Sequence, residues 1–306
     1  MPGTRQLQLT DEERAERRRA DREYARQAVE QLRSSEGWRR WLATRRHFHA
    51  YSFANQLLIA MARPTATKVA GFRGWLKLGY AVQRGERSIK VWAPCPPSRK
   101  QLERWRQEGG DADQRPRTYF RLVPVFAQDQ VAPLPPPAEP APFELPIHDV
   151  AGDELAPIIP KLDALAHELG CPVEEEPMSD GCHGYFEIDS GRIAIDTSLS
   201  ANGKVKTRCH ELAHALIRRE RQDDDPELDR ASEELVVESV AFTCVGALGI
   251  KTDGYSVPYL ASWAEQSDLS VLEQTAALID RLASRIEDAV LEAEPGRSKD
   301  DASEVL

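Results

Sequence analysis

Residues 208–220 read RCHELAHALIRRE, and His210, Glu211 and His214 within them are the side chains best suited to do chemistry. On a helix, positions four apart lie one turn plus about 40° apart, so both imidazoles leave the same face. Two neutral imidazoles at that spacing fill two corners of a tetrahedral Zn2+ site. Glu211 sits beside the first of them and off the ligand row. A carboxylate there reaches a water activated by the metal and suits a general base for hydrolysis.

Such a site needs a third protein ligand and a fourth position left for water. Glu238 is the candidate. It interrupts an apolar run, with Leu235-Val236-Val237 before it and Val240-Ala241-Phe242 after it. A carboxylate on a face destined for a core needs a partner, and a metal is a good one. Glu233 and Glu234 open the same helix and read as solvated or capping charges. Tyr185 and Tyr255 are candidate donors to a developing oxyanion. The stretch RIAID at 192–196 reads as an edge strand to which a substrate backbone would add.

These residues need elements to hold them, and the pattern predicts an α+β protein of two domains. Asn202-Gly203 leads into a helix over 204–219 that carries the histidines. Upstream, 184–188 and 192–196 form a hairpin around Asp189-Ser190-Gly191. Helices over 152–169, 227–248, 257–266 and 269–292 complete a mainly helical domain with a small sheet, spanning 147–292. Residues 293–306 lack apolar content and read as a disordered acidic tail. Residues 131–146 hold seven prolines in sixteen positions and read as a semi-rigid linker. Before it, 35–130 forms a smaller α+β module, with helices over 36–48 and 53–62 and a short one within 71–79. Strands flank Arg84-Gly85-Glu86, another covers 118–128, and a polar insertion occupies 95–117. Residues 1–34 contribute a charged helix.

Charge divides the chain the same way. The net charge is −10, yet residues 1–130 hold 26 Lys/Arg against 14 Asp/Glu, and 31–100 hold 14 against 2. A cationic module of this density expects a polyanion. Tryptophans interleave with the cations, in WRRWLATRRHF at 38–48, GFRGWLKLGY at 71–80 and RSIKVW at 87–92. Aromatic platforms flanked by cations suit single-stranded DNA, stacking on bases and contacting phosphates. The DNA-binding candidates are Trp38, Arg39, Arg40, Arg45, Arg46, Tyr51, Asn55, Lys68, Arg73, Trp75, Lys77, Arg84, Arg87 and Lys90. No run of about 18 apolar residues predicts a membrane span. The N-terminus lacks a secretory pattern, and the five scattered cysteines suit a reducing cytoplasm.

The stretch 51–94, with YFRLVPVFAQDQ at 119–130, resembles the N-terminal single-stranded-DNA-binding domain of ArdC-type antirestriction proteins. The likeness lies in Tyr51-x-x-x-Asn55, Trp75-x-x-x-Gly79, Gly85-Glu86 and Val125-Phe126. The second domain, with His210-Glu211-Leu212-Ala213-His214 and Glu238-x-x-x-Phe242, resembles their zincin-like metallopeptidase domain, related to ImmA/IrrE-type peptidases. The segment 255–265 resembles the helix that follows the site. The resemblance implies a zinc site of His210, His214 and Glu238 with Glu211 as base, a DNA-binding first domain and a mobile-element origin. The charged N-terminal helix, the 95–117 insertion, the proline-rich linker and Ala127 depart from that pattern. Three functions fit: a DNA-tethered zinc peptidase cutting a restriction subunit or a repressor, a non-enzymatic coat for single strands with a structural zinc, and a peptidase whose basic half recognises an acidic protein.

Overall fold

The computed structural model describes residues 11–48, 50–95, 119–135, 150–179, 181–250 and 268–291, with isolated positions between 97 and 107. It is an α+β protein. The N-terminal half opens with α1 (Asp11–Glu30), α2 (Ser35–Arg45) and α3 (Phe53–Ala62). Ser34 starts α2 by accepting the Gly37 N–H at 3.0 Å. Then come β1 (Val69–Ala70), α4 (Phe72–Lys77), β2 (Tyr80–Val82), β3 (Ile89–Cys95), β4 (Tyr119–Ala127) and β5 (Val131–Pro133).

β1, β4 and β3 form one antiparallel sheet with β4 in the middle, and β2 pairs with β5. The turn at Gln83–Glu86 forms as expected, with Gly85 at φ 94. The strands flanking it do not pair with each other: β2 finds β5 and β3 finds β4. The first residues of the proline-rich segment are therefore strand β5, and 136–146 lie outside the described residues. Asn55 ties α3 to the sheet through both ends of its amide. Its Nδ2 donates to the Trp92 carbonyl at 2.8 Å, and its Oδ1 accepts the Trp92 N–H at 2.6 Å.

The C-terminal half contains α5 (Ile159–Glu168), β6 (Val173–Glu176), β7 (Gly184–Phe186), β8 (Ile193–Asp196), α6 (Ala201–Arg219), α7 (Arg230–Ala247) and α8 (Leu269–Val290). The β7/β8 hairpin is present, and β6, absent from the sequence reading, adds in parallel to the far side of β8. The strand containing 193–196 is therefore central, and β7 is an edge of this sheet. Ser200 and Asp229 cap α6 and α7 by accepting the N–H groups of Gly203 and Ser232. The helix expected over 257–266 lies outside the described residues.

One hydrophobic core runs through both halves. Trp38, Trp41 and Leu42 of α2 and Leu57 and Leu58 of α3 belong to the same buried cluster as Val236 and Val240 of α7 and Ile279 and Ile286 of α8. Two smaller clusters lie within the N-terminal half, one around the β1-β4-β3 sheet and one around Trp75. Among the described residues no helix is long and apolar enough to cross a membrane. All five cysteines are free, and Cys182 is the exposed one.

Candidate metal centre

α6 is pinned on one side by the small sheet and on the other by α7, so its ligand row lies between them. His210 and His214 project from it with ring centroids 5.2 Å apart. One ligand atom from each of His210, Glu211 and His214 falls within 4.8 Å of the others. Both imidazoles are fixed by carboxylates of α7. Glu238 Oε1 lies 3.3 Å from His210 Nδ1, and Glu233 Oε1 lies 3.0 Å from His214 Nδ1. Glu233 in turn accepts from Arg218 at 2.6 Å. On the other ring edge, Glu234 Oε1 stands 3.8 Å from His214 Nε2. Sequence reasoning read Glu233 and Glu234 as solvated or capping charges. Their position, 19 and 20 residues after His214 at the start of the facing helix, carries no periodicity that would reveal the contact.

Glu211 is buried, at 5% exposure. Burial pushes its carboxyl up to about 7; the His210 charge opposes this, Glu234 and Glu238 add to it, and the Phe186 N–H of β7 opposes it. Burial pulls the His210 imidazole down, but its bond to Glu238 and the charges of Glu211, Glu238 and Glu234 outweigh that, and its pKa rises. Glu238 is lowered by the same contact. Two imidazoles ringed by four carboxylates form a donor set that fits a divalent cation, with Nδ1 of each ring oriented by an acid and Nε2 available.

β7 brings its backbone to this site. A Cβ on Gly184 would lie 3.3 Å from Glu211 Oε1, 2.8 Å from the Ala194 carbonyl and 2.5 Å from Thr207 Cγ2, so only glycine admits the close approach of strand and helix. Side chains alternate along a strand, so Tyr185 points the other way. Its hydroxyl donates to Glu176 Oε1 at 2.9 Å and is held by Arg192. That takes Tyr185 out of the reacting group. Tyr255 lies outside the described residues.

The DNA-binding candidates separate by burial. Trp38 and Trp75 are core residues at 1% and 0% exposure, and Trp75 Nε1 donates to the Phe126 carbonyl at 2.8 Å. Asn55 is consumed by the Trp92 backbone. Arg45 is fully buried against α8. All four are buried in this fold. Tyr51 packs on the sheet cluster with its hydroxyl toward the Val69 carbonyl, and Arg46 and Lys68 are half-buried. Arg40 is exposed and paired with Glu36. Arg39, Arg73, Lys77, Arg84, Arg87 and Lys90 are exposed cations with no ion pair among the described residues.

Residues 19–126 match the family described as the N-terminal domain of anti-restriction factor ArdC. The chain carries an ArdC-type N-terminal domain. An uncharacterised protein of Bacillus anthracis is 24% identical over 293 residues, covering 82% of this chain and 49% of that protein. The chain thus spans about half the length of that curated relative. Two crystal structures of the antirestriction protein ArdC from the R388 plasmid are also similar to it. The metal-free form is 20% identical with a TM-score of 0.47, covering 78% of this chain and 85% of that one. The Mn(II)-bound form is 21% identical at the same TM-score, covering 80% and 86%. The ArdC-type domain takes in α2, α3, α4 and nearly all of β4, and the histidine pair lies downstream of it.

Proposed function

We propose that this chain is an antirestriction factor in which a DNA-binding N-terminal half is joined to a zinc-dependent peptidase. The observation that carries the peptidase reading is Glu211, a buried carboxyl with a ligand atom within 4.8 Å of those of His210 and His214 and pushed up toward neutrality by that burial. His210 and His214 would hold the cation through Nε2. Of the acids on α7, Glu234 suits the third position, since Glu238, the residue expected from the sequence, is engaged by His210 Nδ1. Glu238 and Glu233 then orient the two rings. When bound, the cation would supply Lewis acidity toward a peptide carbonyl and toward water.

Glu211 takes a proton from the attacking water as the new C–O bond forms, and delivers it to the departing amine as the C–N bond breaks. A carboxyl near neutrality serves both directions. The outer edge of β7, with the Gly184 and Phe186 backbone groups facing away from β8, is where an extended peptide would add as a further strand. In its absence Glu211 occupies the Phe186 N–H.

The test measures bound metal, cleavage of restriction subunits, and protection of incoming DNA in cells. Glu211→Gln should keep the metal and lose both activities, with cleavage falling roughly 10²- to 10⁴-fold. Glu234→Gln should lose the metal, and Glu238→Gln should weaken it. Full protection by Glu211→Gln would mean that the centre is structural. Metal loss in Glu238→Gln with full retention in Glu234→Gln would reverse the ligand assignment.

A further inference from the structure

Trp38 and Trp75, the tryptophans named as DNA-binding candidates, are buried, which leaves a DNA-binding half in search of a platform. α4 offers one. Phe72 and Leu76 are among the few large apolar side chains that the described residues leave in solvent, at 53% and 41% exposure. They lie one turn apart, and each is followed directly by an exposed cation, Arg73 and Lys77. On a helix of 3.6 residues per turn these four cover an arc of about 140°. Trp75 lies outside that arc and points inward. Its indole bond to the Phe126 carbonyl and its edge contact with Tyr80, 5.8 Å between centroids, fix the helix to the sheet.

We propose that this outward face of α4 is the stacking platform for single-stranded DNA, Phe72 meeting a base and Arg73 and Lys77 the flanking phosphates. The proposal rests on the reading that the N-terminal half binds DNA. Charge selects the occupant. Residues 37–85 contain no Asp or Glu, and neither Arg73 nor Lys77 has an acidic partner among the described residues. An exposed aromatic with unpaired cations to one side of it satisfies both parts of a single strand, its bases and its phosphates. A platform anchored by Trp75 also needs no ordering when the strand arrives.

The experiment is fluorescence anisotropy of the intact chain with a labelled oligothymidylate of about 20 nucleotides and with a duplex of the same length, across salt, at a length that exceeds common single-strand site sizes. Phe72→Ala should weaken single-strand binding by roughly 5- to 100-fold while leaving the salt slope and the duplex affinity unchanged. Arg73→Gln/Lys77→Gln should flatten the slope of log K against log salt by about 1.4, the share of two single-strand phosphate contacts. Unchanged thermal melting would show that both variants fold. Wild-type affinity in both variants, with the parent still binding in a salt-dependent way, would overturn the platform and leave DNA binding intact. Equal losses for strand and duplex in Phe72→Ala would also overturn it, because stacking needs unpaired bases. Absence of any binding by the parent at low salt would instead remove the DNA-binding reading itself.

Discussion

At the scale of a residue, Glu211 holds the tension in this molecule, because the burial that readies it as a base works against the fold. Its folded pKa of about 7 lies above the ordinary carboxyl value. Between those two values the folded state binds more protons than the unfolded chain, so stability falls as pH rises through that window. The contribution is intact below the ordinary carboxyl range and is lost once pH has passed about 7, a total on the order of 3 kcal/mol. Metal-free protein should therefore denature at lower urea at pH 8 than at pH 5, and Glu211→Gln should flatten that difference. A parent and variant with parallel pH profiles would show that the carboxyl is solvated in the metal-free fold. Added cation should restore the parent at pH 8, since a ligand that binds only the folded state adds its binding free energy to stability.

At the scale of an element, the fit of β7 against α6 depends on Gly184. A methyl there meets a backbone carbonyl and a branched side chain that cannot swing aside. Gly184→Ala should cost about 1–3 kcal/mol in denaturant unfolding and lower any hydrolytic rate, because the strand must lift off Glu211. A variant of parental stability would show that the sheet slides freely over α6. Much of this arrangement was legible beforehand. The HExxH spacing placed both histidines on one helix face, and the turn Asp189-Ser190-Gly191 announced the hairpin. β6 was not legible, since VEEE has no alternation of apolar residues; its glutamates are held by Arg192, Lys204 and Arg208 from elsewhere in the fold. The partner choices of β2 and β3 were also hidden, because a turn dictates where the chain reverses and not which strand closes the ladder. α2 forms where the helix over 36–48 was expected, but Trp38 and Arg45, named for DNA, are buried on it. Trp38, Trp41, Leu42 and Arg45 fall at i, i+3, i+4 and i+7, the stripe of a core-facing helix, and the arginine on that stripe was the sign of a buried partner.

At the scale of the whole molecule, that arginine joins the two halves. Arg45 is fully buried and spends every N–H on α8. Nε donates to Asp280 at 2.8 Å, Nη2 donates to the Asp280 carbonyl at 3.0 Å and to Ser284 at 2.8 Å, and Nη1 pairs with Glu287, itself buried. Gln56 of α3 reaches the same Asp280 at 2.8 Å. Nearby, Arg46 lies so close to Gly246 of α7 that a Cβ there would meet its side chain at 2.9 Å. α7 also carries Glu233, Glu234 and Glu238, so the helix that shapes the metal centre is seated on the N-terminal helices. Buried apolar residues of both halves belong to one cluster, so the two halves pack against each other. Arg45→Met leaves two carboxylates of α8 without their cation and should destabilise the intact chain by about 3–5 kcal/mol, lowering the melting of both halves together. Replacing the pair, Arg45→Met with Glu287→Met, should recover most of that loss, because matched apolar groups avoid the desolvation that the ions incur. Calorimetry decides it. A single transition that shifts as a whole supports the shared core. Two transitions, only one of which moves in Arg45→Met, would mean that the contact is dispensable and that the metal-binding half folds by itself.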